Sequence, residues 1–156
     1  MRAPRDLRRI LVPTDFSPSS QSAADHAGLL ADRFGATVAL LHVGTGAAAS
    51  ETTGGSALQE VYHKAREEQR RHSTRAMNAE KQRIEAAWPD LEVTTDFANG
   101  AAHDAICGWA DAHDVDMIVM GTQGRSGLSW FMIGSTADRV IRASKVPVLT
   151  VRGPNR

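Results

Sequence analysis

The chain has little of several residue types on which common classes of protein depend. Cys107 is the only cysteine among 156 residues, so no disulfide can form within the chain and a reducing cytoplasm is the expected location. The formal net charge is zero, which leaves no overall field to attract nucleic acid or a membrane surface. No apolar run approaches the length of a membrane span. We therefore expect neither a nucleic-acid partner nor membrane insertion.

The N-terminus is locally basic, with arginines at positions 2, 5, 8 and 9, but no apolar segment of the secretory type follows it. We therefore do not expect a signal peptide. An apolar fraction of 42% with 23% charged residues is typical of a globular protein. The length suits one domain with a real core, so the sequence predicts a single domain over residues 1–156.

Motifs that commonly perform catalysis or bind metal are also lacking in the sequence. The sequence contains no Gly-x-Ser-x-Gly nucleophile motif, and no two of its six histidines have the spacing of a helical zinc site. His42 lies inside an apolar run, and we interpret it as a hydrogen-bonded core residue rather than a base. Cys107 lies between apolar helix positions and is interpreted as a small inert hydrophobe. We therefore predict no catalytic residue.

What the sequence does contain is a regular alternation of strand and helix patterns. The predicted strands are Ile10–Val12, Thr37–Val43, Leu91–Phe97, Val115–Met120 and Val146–Val151, and the predicted helices start at Pro18, Ser56, Ala102 and Ala137. This alternation predicts an α/β fold with a doubly wound, five-stranded parallel sheet. Only the third strand alternates apolar and polar residues, with Thr95 and Phe97 on its covered face. It therefore belongs at an edge, which gives the order 3-2-1-4-5.

Three segments have specific local interpretations. Ser17 and Pro18 are typical of a helix N-cap and first turn, and Gly35 of the end of that helix. Residues 44–55 are rich in small residues and predict a mobile loop, either a lid or a plain connector. Residues 66–75 are almost all charged or polar and predict a solvated helix face with a Glu67–Arg71 pair; a basic groove for nucleic acid is the weaker interpretation.

A glycine-rich loop between the fourth strand and the last helix is the strongest candidate for a binding site. Gly121, Gly124 and Gly134 occur there, followed by Ser135 and Thr136. Glycines at a strand end allow positive φ and a close approach of the backbone to an anion. The N–H groups at a helix start then favour a phosphate. The alternative for the helix start is a plain capping box in which Ser135 pairs with the residue three positions later.

A second motif, Thr14–Asp15, follows the first strand. With the order 3-2-1-4-5 the chain reverses its winding between strands one and four, and ligands of open α/β sheets bind at that reversal. Thr14–Asp15 and the loop at Gly121–Gly124 should therefore face one crevice. The Asp15 carboxylate suits either a ribose hydroxyl or an Asp turn before the helix, and the sequence does not distinguish these roles.

The loop is neither a Walker loop, which needs a lysine before its last Ser or Thr, nor a dinucleotide fingerprint. Its spacing is Gly, two residues, Gly, nine residues, Gly, then Ser or Thr, at Gly121, Gly124, Gly134 and Ser135. That spacing resembles the nucleotide loop of the universal stress protein family. The first segment, Arg9–Ser17, and the last, Val146–Val151, are similar to the family's first and last strands. Gln123 departs from the family, which often carries histidine there.

The resemblance implies a flavodoxin-like, adenine nucleotide α-hydrolase-like fold that binds ATP, with Mg²⁺ near Ser135, as a nucleotide-responsive stress module with little or no hydrolysis. The implied binding residues are Pro13, Thr14, Asp15, Val43, Met120, Gly121, Gly124, Arg125, Gly134, Ser135 and Thr136. It also implies a homodimer through a last strand that presents Val146, Val148, Leu149 and Val151. The alternatives are a slow ATPase or nucleotide-dependent transferase of this fold, and a flavodoxin-like FMN protein.

Overall fold

Strands and helices alternate along the chain in the computed structural model, which describes residues 6–44, 56–123 and 133–154. The strands of the described residues are β1 (Arg9–Pro13), β2 (Thr37–Gly44), β3 (Val93–Asn99), β4 (Met117–Gly121) and β5 (Val148–Val151). The helices are α1 (Pro18–Phe34), α2 (Ser56–Ala87), α3 (Ala102–Ala112) and α4 (Ser135–Ala143). No helix of this described part of the chain is both long and apolar enough to cross a membrane.

The five strands form one parallel sheet in the order β3-β2-β1-β4-β5, which confirms the predicted fold class. β1 lies at the centre and is buried from Ile10 onwards, because helices cover both faces of the sheet. β2 and β4 pair with opposite edges of β1. The carboxyl ends of β1 and β4 therefore lie side by side where the winding reverses.

The sheet separates two apolar clusters. Ile10 and Val12 of β1 pack on the side of α1 and α2, whereas Leu11 packs on the side of α3 and α4. This alternation follows from the period of two along a strand. At about 25 cal/mol per Å² of apolar area, each fully buried side chain of this kind stabilises the fold by about 1.5–3 kcal/mol.

The ends of α1 agree with the sequence prediction, and the start of α4 does not. The Ser17 hydroxyl accepts a hydrogen bond from the Ser20 N–H at 3.2 Å, and Gly35 closes α1 in the left-handed conformation with φ of 66°. In α4 the N-cap is Gly134, and no side chain caps the helix within the described residues. The predicted capping box is therefore wrong, because Ser135 is already the first helical residue.

The edge strands differ from their predicted patterns. β3 lies at the edge as predicted, but it begins at Val93, and its Thr95 and Phe97 are exposed rather than covered. β5 begins at Val148, and Val151 is buried with only 7% exposed, so Val151 does not belong to an exposed apolar edge. Leu149 is the residue of β5 with a clearly exposed side chain, at 38%.

The polar segment of α2 forms the predicted pair, in which Arg71 Nη2 lies 2.7 Å from Glu67 Oε1. Most of the predicted mobile loop, residues 45–55, lies outside the described residues. Its first residue, Gly44, is the last residue of β2.

Candidate functional site

The turn after β1 is fixed by short hydrogen bonds. The Thr14 N–H extends the ladder to Leu41 O at 2.8 Å, and the Thr14 hydroxyl accepts from the Phe16 N–H at 3.1 Å. Asp15 Oδ1 accepts from the Ser17 N–H at 3.0 Å, so the Asp turn suggested by the sequence is present. Phe16 has a φ of 64°, a left-handed conformation that is uncommon for a large residue. The sequence lacks a glycine here, and the turn is held by its side chains instead.

Backbone hydrogen bonds fix the residue that follows β4 and the residue that precedes α4. The Thr122 N–H donates to Val151 O at 2.9 Å, and the Gly134 N–H donates to Thr122 O at 2.7 Å. The first intrahelical bond of α4 runs from the Asp138 N–H to Gly134 O at 3.0 Å. The N–H groups of the three residues before Asp138 therefore have no partner within the helix, as at any helix start. Because no described side chain caps the helix, these donors can bind an anion.

Gly121 is required for a different reason from the one predicted. Its φ is not positive, and the φ of Gly134 is −61°, so the expectation of positive φ is wrong at both positions. A Cβ atom on Gly121 would lie 2.5 Å from Ser19 Oγ and 2.8 Å from the Ser19 carbonyl carbon. Glycine at the end of β4 thus permits the first turn of α1 to pack directly on the strand. Gly124 and Arg125 lie outside the described residues.

These two segments enclose a cavity of about 200 Å³ at the carboxyl edge of the sheet. It brings together the following predicted binding residues: Pro13, Thr14, Asp15, Val43, Met120, Gly121, Gly134, Ser135 and Thr136. The motifs after β1 and β4 are thus adjacent, as the strand order requires. Among the described lining residues Asp15 is the only acidic side chain, and none is Lys or Arg. The positive potential that they supply comes from the start of α4.

The cavity has further lining residues that sequence reasoning missed. They are Ser20, Leu41, Ala102, Ile106, Thr122, Gln123 and Ala137. Leu41 lies two residues before Val43 and so shares its face of β2, a signal that was available in the sequence. Ala102 and Ile106 are one helical turn apart, but their position depends on where α3 crosses the sheet. Leu41, Ala102 and Ile106 together give the cavity an apolar wall.

His42 approaches the same turn from the other face of the sheet. Its Nδ1 lies 2.8 Å from Thr14 O, and because a carbonyl only accepts, Nδ1 must carry the proton. Its Nε2 then accepts from the Ser73 hydroxyl, 3.4 Å away. The ring also lies against Phe16, with 4.6 Å between centroids. His42 is hydrogen-bonded as predicted, but it is only half-buried.

The metal and thiol chemistry of the described residues is limited. No group of three or more histidine, cysteine, aspartate or glutamate side chains among them could hold a metal ion. Cys107 is half-buried, and burial raises the pKa of its thiol, with a smaller contribution from the carboxylates of Asp111 and Asp104. A raised pKa keeps the thiol protonated and poorly nucleophilic at neutral pH.

Comparison with known proteins agrees with this architecture. The model of the universal stress protein family matches residues 6–152. The universal stress protein YxiE of Bacillus subtilis is 33% identical over 149 residues, which cover 94% of this chain and 99% of YxiE. The structure of the universal stress protein UspA from Lactobacillus plantarum is similar with a TM-score of 0.80 and 26% identity, over 95% of this chain and 99% of that one.

A universal stress protein solved in complex with cAMP is also similar, with a TM-score of 0.67 and 25% identity. The matched region covers 96% of this chain and 100% of that chain. Sequence, fold and strand order therefore lead to one conclusion: the chain belongs to the universal stress protein family.

Proposed function

We propose that this chain binds ATP in the cavity between the turn after β1 and the start of α4, and that it acts as a nucleotide-responsive stress module. The observation that carries the proposal is the uncapped first turn of α4, which faces a cavity with an apolar wall. An adenine nucleotide needs both parts, an anion site and an apolar surface for the base. The relative solved with cAMP holds an adenine nucleotide, which supports this class of ligand.

In the proposed arrangement the two ends of the cavity bind different parts of the nucleotide. Pro13, Thr14 and Val43 lie beside the base, and Asp15 accepts from a ribose hydroxyl. The phosphates bind the backbone donors at the start of α4. Met120 and Gly121 lie near the ribose. The residues assigned to the phosphate end are Gly124, Arg125, Gly134, Ser135 and Thr136. The Ser135 hydroxyl is then a ligand for Mg²⁺ that accompanies ATP.

We propose that hydrolysis is slow or absent. Phosphoryl transfer needs a group that orients the attacking water and compensates the developing charge. Asp15 is the only carboxylate among the described lining residues, and its Oδ1 already accepts from the Ser17 N–H. A site that binds ATP and the transition state of its hydrolysis equally well does not accelerate the reaction. ATP therefore serves as a ligand that changes the population of conformations. The expected location is the cytoplasm, as the single cysteine suggests.

The test is titration calorimetry of ATP and adenosine with the native chain and with Ser135→Glu. A carboxylate in the first turn of a helix is favourable for the helix, so the variant should fold normally. The same carboxylate repels phosphates, and ATP affinity should fall at least about tenfold, or about 1.4 kcal/mol. Adenosine affinity should change less than about twofold, because adenosine has no phosphate.

Asn78→Glu is the matched control, since Asn78 is exposed on α2 and does not line the cavity. It adds the same charge elsewhere and should leave ATP affinity unchanged. If the native chain does not bind ATP, the proposed function is wrong. If Ser135→Glu weakens adenosine and ATP equally, the phosphates do not bind at the start of α4.

We also propose a homodimer through β5. Among residues 6–44, 56–123 and 133–154, this strand pairs with β4 along one edge only. An uncovered strand edge is a site for pairing with another chain. Leu149 is 38% exposed on β5 and Ile141 is 43% exposed on α4. Val146 and Val148, in contrast, pack partly against the apolar cluster beneath.

Light scattering at micromolar concentration should give the mass of two chains, and Leu149→Lys should shift the equilibrium towards one. Leu29→Lys introduces the same charge at an exposed leucine of α1 and should leave the dimer intact. A native chain that is monomeric, or a Leu149→Lys variant that dimerises like the native chain, would contradict the proposed interface.

A further inference from the structure

A second cavity, of about 680 Å³, lies on the other side of β2, between the sheet and the N-terminal half of α2. His42 and Phe97, paired across β2 and β3, line it from the sheet. The first cavity is lined by Leu41 and Val43, which point to the opposite face. A single strand therefore separates the two cavities, and none of their described lining residues is shared.

Along one face of α2, the helix that covers this cavity, the residues change from polar and basic to apolar. His63, Arg66, Arg70 and Ser73 follow one another at intervals of three or four residues and all line the cavity. The next position of the same stripe is Met77, which is fully buried against the core. A helix that packs on a sheet normally keeps an apolar stripe towards it. Here the stripe is polar and basic before Met77, and a cavity remains where side chains would otherwise pack.

The charge of the lining is positive. Within the described part of the chain, neither Arg66 nor Arg70 makes an ion pair, whereas the one acidic lining residue, Glu67, pairs with Arg71 at 2.7 Å. Arg71 itself does not line the cavity. Two guanidinium groups thus line the cavity with no carboxylate partner among the described residues. Guanidinium groups bind carboxylate, sulfonate or phosphate oxygens through paired N–H donors.

The floor of the cavity is aromatic. Phe97 is 43% exposed although it points to the covered side of the sheet, and its ring lies edge-on to His42 with 6.2 Å between centroids. An aromatic face that is uncovered beside two cations suits a ligand with a flat ring and a negative group. Such a ligand would cover the exposed ring of Phe97. This would explain why an apolar residue occupies a position that α2 leaves uncovered.

We propose that this cavity is a second binding site, for a small organic anion that carries an aromatic ring. Arg66 and Arg70 bind the anionic group, and Phe97 packs against the ring. The site is independent of the proposed ATP site in its residues. His42 nevertheless connects the two, because the ring that forms part of this floor donates to Thr14 O in the turn of the first cavity.

The test uses 8-anilinonaphthalene-1-sulfonate, an aromatic anion whose fluorescence rises on binding, and N-phenyl-1-naphthylamine, which has the same rings without the charge. The native chain should bind the sulfonate at one saturable site and the uncharged compound at least about tenfold more weakly, since charge-assisted hydrogen bonds are lost. The double variant Arg66→Gln, Arg70→Gln should lower the affinity for the sulfonate by at least about tenfold.

The control is Arg33→Gln with Arg75→Gln, which removes the same charge at exposed arginines that do not line the cavity. Its affinity for the sulfonate should stay within about twofold of the native value. Ser135→Glu should also leave the sulfonate bound, which separates this site from the first cavity. The proposal is overturned if the two double variants behave alike, if both compounds bind equally, or if Ser135→Glu abolishes binding.

Discussion

Replacement of Gly121 by alanine tests how the site is assembled without any ligand. The added Cβ would lie 2.5 Å from Ser19 Oγ and 2.8 Å from the Ser19 carbonyl carbon. Contacts below 3.0 Å do not occur for real Cβ atoms, so part of the structure must move. The hydroxyl can rotate away, but the carbonyl carbon belongs to the backbone of α1. The strain should therefore shift the first turn of α1 relative to β4.

The size of the effect follows from overpacking in a well-packed interior, which costs about 1–3 kcal/mol. Ser19 is only 5% exposed, so the contact has no route of relief towards solvent. For a chain of this length about 2–4 °C of melting temperature corresponds to 1 kcal/mol, and Gly121→Ala should lower it by about 2–12 °C. Ser19→Ala removes the hydroxyl contact but leaves the backbone contact, so the double variant should recover only part of the loss.

Urea denaturation with linear extrapolation measures the differences in free energy of unfolding, and a thermal scan measures the differences in melting temperature. Gly108→Ala is the matched control, because nothing lies within 4 Å of the added Cβ and the residue is inside α3. It should raise the free energy of unfolding by about 0.5–1 kcal/mol, as glycine to alanine does in a helix. A Gly121→Ala variant as stable as the native chain would refute the packing argument, and complete rescue by Ser19→Ala would show that the backbone contact is unimportant.

Two further predictions concern charged and titratable groups outside the cavities. Arg83→Met should lower the free energy of unfolding by about 1–3 kcal/mol. The side chain of Glu80, which is only 6% exposed, would lose its partner at 2.8 Å. Asp25 of α1 would also lose its hydrogen bond to α2. Glu80→Gln in that background should recover part of the loss in urea denaturation; no recovery would contradict a buried-charge explanation. The raised pKa of Cys107 predicts alkylation by iodoacetamide with a midpoint at higher pH than in the urea-unfolded chain. The pKa of this thiol is higher in the folded chain than in the unfolded chain. The free energy of unfolding should therefore fall as pH rises above the unfolded pKa of about 8.5, and this fall should be absent in Cys107→Ala.

The strand order could be predicted because it depends on local patterns. β1 is a short run that is apolar after its first residue, and β2 is apolar from Val38 to Val43 except at His42, as expected for strands covered on both faces. Ser17, Pro18 and Gly35 determine where α1 begins and ends. Once the order is known, the turn after β1 and the end of β4 must be neighbours. The adjacency of Thr14–Asp15 and Gly121 therefore follows from topology, without knowledge of any side-chain position. Other predicted cavity residues, such as Val43 and Met120, come from the resemblance to the family.

The parts that could not be predicted depend on contacts between distant segments. Gly121 was identified as important, but its reason lies in Ser19, which is far away in the sequence. Residues 66–75 have the composition of a solvated face, and only the placement of α2 over β3 shows that Arg66 and Arg70 face a cavity. The exposure of Phe97 could not be predicted for the same reason. The pattern of β3 does not show whether side chains of the helix above it reach the strand.

The alternation of β2 also has an evolutionary consequence. Substitutions at Leu41 or Val43 alter one cavity and leave the other untouched, so the two linings can diverge independently under selection. An inserted or deleted residue upstream in the same strand is different, because it would turn every following side chain to the opposite face. His42 would then enter the first cavity, and an aliphatic residue would replace it beside Phe97. We therefore expect natural relatives to vary more in the residue types at the cavity-lining positions of β2 than in the length of this strand.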